Sequence, residues 1–436
     1  MRETVPVDPL SIRPLDHPPD TTVVLPGSKS ITNRALVTAA LARGETRLSS
    51  ALFADDTLAM IDGLGALGVS CVPDSADGSI TVEGRGADFA ERTGSGEARV
   101  DARRSGTTSR FLMPVAALRG APTVIDGDRQ LRGRPMGHQI DALRHLGVSV
   151  EELGLAGRLP VRVAGPITGR SCSIEGDASS QFASGLLLAG GVSGLSLELA
   201  ADPVSRPYLE MTVAVMRSFG SHVDLAEPQS PAQSRVLTVS GGYESPGAYA
   251  IEPDASTASY FLAAAAITGG RVRVEGLGNS SIQGDVAFAD VLARMGAEVE
   301  YDDAGIEVSG GELRGVEVDL GDISDTAPTL AVVAAFASGA TTVSGIGFVR
   351  HKESDRVAGP VHELRRCGID AEQTSDGFVV RPQGPPVGAV FETYQDHRMA
   401  MAFALIGLVV EGVSICDPGC VAKTFPGYFG ALEQLR

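Results

Sequence analysis

Six times along this 436-residue chain an alanine-rich apolar stretch runs into a glycine, at Gly44, Gly120, Gly194, Gly270, Gly339 and Gly412, with successive spacings of 76, 74, 76, 69 and 73 residues. A period this regular means one supersecondary unit repeated along the chain, each copy too small to bury its apolar face alone. Each glycine is followed by a short β-prone run, such as Thr46-Arg47-Leu48, Val272-Arg273-Val274 or Thr341-Thr342-Val343. An amphipathic helix comes next; in the second copy Met136, Ile140 and Leu143 form its single apolar stripe. These helices close on Gly68, Gly147, Gly220, Gly296 and Gly368, as a left-handed residue after the last turn favours. A strand, a polar turn and a second strand follow, as at 69–73 and 80–83.

The repeating unit therefore reads roughly β-α-β-β-α. Its other helix is apolar nearly all round, as in Tyr260-Phe261-Leu262-Ala263-Ala264-Ala265-Ala266-Ile267, and such a helix belongs inside. The sixth copy runs out at Phe429-Gly430-Ala431-Leu432 within its amphipathic helix, while the residues up to Leu25 have no copy of their own. The N-terminal segment is thus expected to complete the last unit. The expected fold is α/β with two domains of three units each: 28–251 for units 1–3, and 1–27 with 252–436 for units 4–6, with crossovers near 27 and 251. Each domain should hold three buried helices covered by sheets and by amphipathic helices.

A formal charge of −18 and a pI near 4.8 argue against nucleic acid or anionic membranes as partners, but leave room for anionic small molecules. Five scattered cysteines, Cys71, Cys172, Cys367, Cys416 and Cys420, suggest reduced thiols in a cytoplasmic protein. The N-terminal stretch has no apolar signal core, and the apolar run from Met399 to Val410 is too short to span a bilayer. Gly63-Leu64-Gly65-Ala66-Leu67-Gly68 fits a dinucleotide fingerprint, yet it ends a helix, whereas the fingerprint must follow a strand and open one.

Positive charge is written almost entirely in arginine: of 36 basic residues only Lys29, Lys352 and Lys423 are lysine. An ammonium is compact and titratable, whereas a guanidinium stays protonated, so three retained lysines in polar stretches suggest sites that need an ammonium. The polar clusters Ser28-Lys29-Ser30, Arg104-Ser105-Gly106-Thr107-Thr108, Ser179-Ser180-Gln181, Asp254-Ala255-Ser256-Thr257, Asp325-Thr326 and Asp396-His397-Arg398 fall where the six apolar helices begin. Taken singly each is an ordinary N-cap. Six in register also offer free amides and positive potential to phosphate or carboxylate ligands.

Pro26-Gly27-Ser28-Lys29-Ser30-Ile31-Thr32-Asn33-Arg34 resembles the opening motif of the 5-enolpyruvylshikimate-3-phosphate synthase family of enolpyruvyl transferases. Ser105-Gly106-Thr107-Thr108-Ser109-Arg110, Arg134-Pro135-Met136-Gly137, Ser179-Ser180-Gln181, Ser205-Arg206-Pro207-Tyr208, Lys352-Glu353-Ser354-Asp355-Arg356, Asp396-His397-Arg398-Met399-Ala400-Met401 and Ala422-Lys423-Thr424-Phe425-Pro426 continue the likeness in order over nearly the whole chain. The resemblance implies a two-domain fold of six β-α-β-α-β-β units and transfer of the enolpyruvyl group of phosphoenolpyruvate to shikimate 3-phosphate in aromatic amino-acid biosynthesis. It implies a monomer without cofactor or metal, inhibited by glyphosate in the phosphoenolpyruvate site.

By the same resemblance shikimate 3-phosphate contacts Lys29, Ser30, Arg34, Ser179, Ser180, Gln181, Ser205, Asp325 and Lys352. Phosphoenolpyruvate contacts Lys29, Gly106, Arg134, Gln181, Arg356, Arg398 and Lys423. Asp325 is the expected base toward the acceptor hydroxyl, Glu353 the acid toward carbon and Lys29 a second proton carrier, although Glu353 also sits at i, i+3 spacing to Arg356. Arg104, Phe111 and Phe348 depart from residues usual in the family. The rival within the same fold, transfer to UDP-N-acetylglucosamine, goes with asparagine after the first lysine and a reactive cysteine in a first-half loop; here Ser30 follows Lys29.

The lysines make a test. Lys29→Arg keeps charge but loses a titratable donor, so the turnover rate falls roughly 10²-fold or more. Lys423→Arg acts mainly on the KM for phosphoenolpyruvate, and Lys352→Arg on that for shikimate 3-phosphate. Steady-state kinetics of the three variants side by side check this, and near-normal values in all three overturn it.

Overall fold

In the second, third, fifth and sixth repeats a strand leads into the all-apolar helix and the next strand lies parallel beside the first, so the helix is the crossover of a β-α-β turn; in the first and fourth the parallel partner comes from elsewhere in the chain. In the first five repeats the amphipathic helix and an antiparallel hairpin then complete a four-stranded sheet. The structure, a computed structural model, describes residues 8–86, 89, 96–175, 179–199, 204–226 and 234–436. It falls into a contiguous unit, Gly27–Glu252, and a split unit, Met1–Pro26 with Pro253–Arg436. Among the described residues there are six sheets, five of four strands and one of three.

In the contiguous unit the apolar helices are Lys29–Leu41, Gly106–Ala116 and Ser180–Ser193, and the amphipathic ones Asp55–Ala66, Gly137–His145 and Arg206–Ser218. Every residue of Gly106–Ala116 is buried. Small side chains let these inner helices approach closely: a Cβ on Gly185 would lie 2.4 Å from the Arg110 carbonyl oxygen. Gly63 of the decoy fingerprint has a packing reason as well, since a Cβ there would meet Leu112 at 2.5 Å.

The split unit repeats the arrangement with inner helices Ala255–Thr268, Ala327–Ala334 and His397–Ala404 and outer helices Phe288–Met295, Ala358–Arg366 and Tyr428–Leu432. Its N-terminal segment serves two repeats rather than one. Leu10–Ile12 runs antiparallel to Val413–Ile415 and takes the hairpin position in the last sheet. Asp20–Val23 lies parallel to Arg271–Glu275 and supplies the first strand of the fourth repeat. The contiguous unit closes similarly, for Ala248–Ala250 pairs parallel to Arg43–Ser49 of the first repeat. Where the chain leaves the split unit, a Cβ on Gly27 would stand 1.9 Å from the Ser50 carbonyl oxygen, so only glycine fits. No helix among the described residues is long and apolar enough to cross a membrane.

The five glycines that close the amphipathic helices, Gly68, Gly147, Gly220, Gly296 and Gly368, all have positive φ. They differ in what surrounds them. Gly220 has φ 82° and open space where a Cβ would go, whereas Gly296 has φ 110° and the Glu312 carbonyl oxygen 2.5 Å from that point. Gly220→Ala should cost about 1 kcal/mol, the left-handed penalty alone. Gly296→Ala should cost roughly 1–3 kcal/mol more because backbone must move. Urea unfolding of the two variants checks the order, and equal losses would contradict it.

Candidate active site

Each unit gathers charged and hydroxyl side chains where its inner helices start. In the split unit the gathering point is Asp325. It immediately precedes Thr326, the N-cap of Ala327–Ala334, but the chain enters through a 3-10 turn kinked at Ile323, and Thr326 makes no side-chain capping bond. The expected cap is therefore absent, and the neighbouring carboxylate is turned to other partners. Asp325 Oδ1 lies 2.6 Å from Lys352 Nζ and 3.0 Å from Arg356 Nη1, and Oδ2 lies 2.6 Å from Arg398 Nη2.

Arg356 is almost wholly buried and takes three carboxylates. Besides Asp325, it donates from Nη2 to Glu353 at 2.8 Å, and from Nε and Nη2 to Asp396 at 2.8 and 3.1 Å. Burial alone would lower its pKa; Asp396, Glu353 and Asp325 more than reverse this and hold it above the ordinary arginine value. Asp396 also accepts from the Ser354 hydroxyl at 2.9 Å and caps the Arg398 amide at 3.0 Å. Glu353 Oε1 lies 3.7 Å from Lys423 Nζ. Glu353 thus makes the i, i+3 pair with Arg356 and also faces the third lysine. Burial lowers the Lys352 pKa, with Asp325 opposing and Arg356 adding to the shift. Lys352 Nζ also sits 5.6 Å from the Phe348 ring centroid, a cation–π contact.

In the contiguous unit Ser28, Ser105 and Ser179 cap the inner helices by accepting from the amides of Ile31, Thr108 and Gln181. Lys29, first in its helix, reaches 3.6 Å from Asp56, a buried carboxylate in the opening turn of Asp55–Ala66. Arg34 is buried and donates to the Thr212 and Ser184 hydroxyls at 2.7 and 3.4 Å and to the carbonyls of Ser30 and Tyr208 at 2.9 and 3.0 Å. Burial brings its pKa down to about 10. Phe111 lies beneath it, ring centroid 5.2 Å from the guanidinium carbon. Arg34 thereby ties Ser30 to the Arg206–Ser218 helix.

A second group joins two inner helices. Arg110 donates to Gln181 Oε1 at 2.7 Å and lies within 3.5 Å of the Ser179 hydroxyl, while Gln181 donates to Thr107 Oγ1 at 3.3 Å. A Cβ on Gly106 would come within 3.1 Å of Arg134 Nη1, so Gly106 and Arg134 belong to the same corner. Ser180 opens its helix at the edge of this group. Arg104 is half exposed and paired with Asp128 at 3.4 Å. Ser205, N-cap of Arg206–Ser218, has left-handed backbone at φ 55° and ψ 47°.

The structure thus draws Asp325, Lys352, Glu353, Arg356, Arg398 and Lys423 together in one unit, and Gly106, Arg134, Ser179 and Gln181 in the other. Sequence reasoning did not single out the roles of Asp56, Asp396, Arg110 and Asp285. Asp56 and Asp396 stood at polar helix starts, where an acid reads as ordinary dipole compensation, and Arg110 stood inside an otherwise apolar helix. Asp285 carried no such signal: it is a buried carboxylate in the 3-10 turn Gly284–Ala287 that accepts from the Ser256 hydroxyl.

Comparison with known proteins identifies the family over nearly the whole chain. The family model described as EPSP synthase (3-phosphoshikimate 1-carboxyvinyltransferase) matches residues 17–432. The 3-phosphoshikimate 1-carboxyvinyltransferase of Serratia proteamaculans is 41% identical over 433 residues, 98% of this chain and 99% of its own length. That of Yersinia pseudotuberculosis is 42% identical over 419 residues, 95% of this chain and 96% of its own. Among solved structures, an EPSP synthase from Acinetobacter baumannii superposes with a TM-score of 0.80 at 27% identity, covering 98% of this chain and 97% of its own. The enolpyruvyl transferase NikO from Streptomyces tendae, at 20% identity, TM-score 0.76 and coverage of 99% and 98%, shares the fold.

Asp285 gives this cluster a pH signature. Burial, helped by the charge of Asp325, pushes its pKa up from 3.8 to about 6. The folded state then binds the proton more tightly than the unfolded chain, so the stability from this group is present below about pH 4 and is lost as pH rises through about 6. Asp285→Asn removes the titration. Relative to the parent the variant should gain stability between pH 4 and 7, on the order of 2–3 kcal/mol. Chemical denaturation at several pH values checks it, and a difference independent of pH overturns it.

Proposed function

The chain belongs to the EPSP synthase family, the 3-phosphoshikimate 1-carboxyvinyltransferases, and we propose how its residues carry that family's transfer of the enolpyruvyl group from phosphoenolpyruvate to the 5-hydroxyl of shikimate 3-phosphate. The observation that carries the proposal is the Asp325 carboxylate held by Lys352, Arg356 and Arg398. Each of those cations is suited to a phosphate or carboxylate, and guanidinium forks bind such groups bidentately. Substrate anions arriving at Arg356 and Arg398 draw their donors away from Asp325. The carboxylate then becomes basic enough to take the proton of the acceptor hydroxyl as that oxygen attacks.

Glu353 gives a proton to the methylene carbon of phosphoenolpyruvate, which leaves the central carbon electron-poor and open to the hydroxyl oxygen. Loss of a methyl proton from the tetrahedral adduct expels phosphate and restores the double bond. Lys423, beside Glu353, and Arg356, Arg398, Gly106, Arg134 and Gln181 hold phosphoenolpyruvate. Ser30, Arg34, Ser179, Ser180, Gln181, Ser205 and Lys352 hold shikimate 3-phosphate. Lys29, paired with Asp56, contacts both substrates and carries the second proton.

Burial pushes the thiols of Cys71 and Cys172 up to about 12 and about 11. Neither suits the reactive-cysteine role that transfer to UDP-N-acetylglucosamine goes with. The free thiols of Cys71, Cys172, Cys367 and Cys416 fit a cytoplasmic enzyme, and the family resemblance supports a monomer.

Phosphate release from phosphoenolpyruvate should require shikimate 3-phosphate and not respond to UDP-N-acetylglucosamine; the reverse would sink the reading. Glu353→Gln should lower the turnover rate about 10²–10⁴-fold, with a smaller change in the KM for shikimate 3-phosphate. It should also abolish solvent-deuterium exchange into the methylene group of phosphoenolpyruvate, and undiminished exchange would remove Glu353 from the acid role.

A further inference from the structure

Two consecutive residues other than glycine, Tyr394 and Gln395, have left-handed backbone, with φ of 55° and 58°. They lie directly before Asp396, the carboxylate that accepts twice from Arg356 and caps the amide of Arg398. Nothing local makes this conformation favourable, because a Cβ in the left-handed region crowds the following carbonyl. The surroundings must impose it.

What imposes it is a buried acid on the outer helix Ala358–Arg366. Glu363 is fully buried; its Oε1 accepts the Tyr394 hydroxyl at 2.5 Å and its Oε2 accepts the Glu392 amide at 3.0 Å. One carboxylate thus grips the segment at both ends, just before it turns into Asp396. The Tyr394 ring also lies against the same helix, at ordinary contact distance from where a Cβ on Gly359 would stand. Burial and the Glu363 charge both raise the Tyr394 pKa, which keeps its hydroxyl a donor. Beside it a cavity of about 560 Å³, bordered by Glu353, Ser354, His362, Gln373 and Tyr394, leaves the segment room to relax if the grip is lost.

We propose that Glu363 and Tyr394 form a latch that holds the strained segment 392–395 and so sets the position of Asp396 and, through it, of the Arg356 and Arg398 guanidiniums. They are positioning residues, and the inference rests on the reading that these two arginines bind phosphoenolpyruvate. Loss of the latch lets Asp396 drift with its segment, and small displacements of oriented binding groups are costly. Gln395→Gly would remove most of the left-handed penalty at that position, so the segment depends less on the latch to keep its conformation.

The test uses the full-length enzyme. Tyr394→Phe should raise the KM for phosphoenolpyruvate about 10-fold while leaving that for shikimate 3-phosphate within about 2-fold. Adding Gln395→Gly should return most of the lost phosphoenolpyruvate affinity, which a merely structural role of the tyrosine would not do. Glu363→Asp, which keeps the charge but shortens the reach, should show the same selective loss and serves if Tyr394→Phe does not fold. Equal effects on both substrates, no effect, or no rescue by Gln395→Gly overturn the latch. Arg356→Lys separates the two layers. If it raises the phosphoenolpyruvate KM and the latch variants do not, the latch alone fails; if it does not, the assignment of Arg356 fails first.

Discussion

The buried Arg356 guanidinium, shared among Asp325, Glu353 and Asp396, is the interaction on which the split unit's chemistry depends. A charge this deep is tolerated only when its donors are matched, and removing one partner of such a network typically costs about 3–5 kcal/mol. The three carboxylates come from different places in the chain: the turn before the fifth inner helix, the turn before the fifth outer helix, and the cap of the sixth inner helix. Satisfying one guanidinium therefore sets three elements relative to each other. Candidate acid, candidate base and two candidate anion-binding arginines are fixed by the same bonds.

The contiguous unit solves a similar problem with neutral partners. Arg34 is as deeply placed as Arg356, yet its acceptors are hydroxyls and carbonyls. The two arginines accordingly shift in opposite directions, Arg34 downward to about 10 by burial and Arg356 upward by its carboxylates. One binds elements through polar neutral contacts above an aromatic ring; the other is held among three carboxylates. Phe111 and Phe348 each lie against a cation, so aromatic faces here do part of the work of orienting charge.

Backbone strain accumulates at the approaches to these groups. Arg103 leads into Arg104-Ser105-Gly106, Ser205 caps the third outer helix, Tyr394 and Gln395 precede Asp396, and Asp417 precedes the 3-10 turn that carries Lys423; all have left-handed φ. Each costs roughly 1–2 kcal/mol. Such costs persist where the surrounding structure over-determines a conformation, and they cluster where side-chain direction matters more than stability.

The glycine period, the two kinds of helix and the serine or aspartate starts were all legible in the sequence, because each depends on contacts within about one repeat. The left-handed glycines closing the outer helices and the burial of the inner ones follow from that local pattern. The motifs carried the family resemblance, and with it the candidate residues by number. Tertiary structure decided the rest. That residues 10–12 and 20–23 serve different repeats is a matter of strand pairing across about 400 and 250 positions, and no local pattern records it. Asp325 and Thr326 look like any helix cap in sequence, and only the approach of Lys352, Arg356 and Arg398 turned that carboxylate away from capping. Asp56, Asp285 and Glu363 are single acids on polar or amphipathic stretches; burial and distant partners gave them their roles. The physical reason is common to all of these: a local rule tells what backbone a residue favours, but charge compensation in a buried place depends on which distant groups the fold brings within about 3 Å.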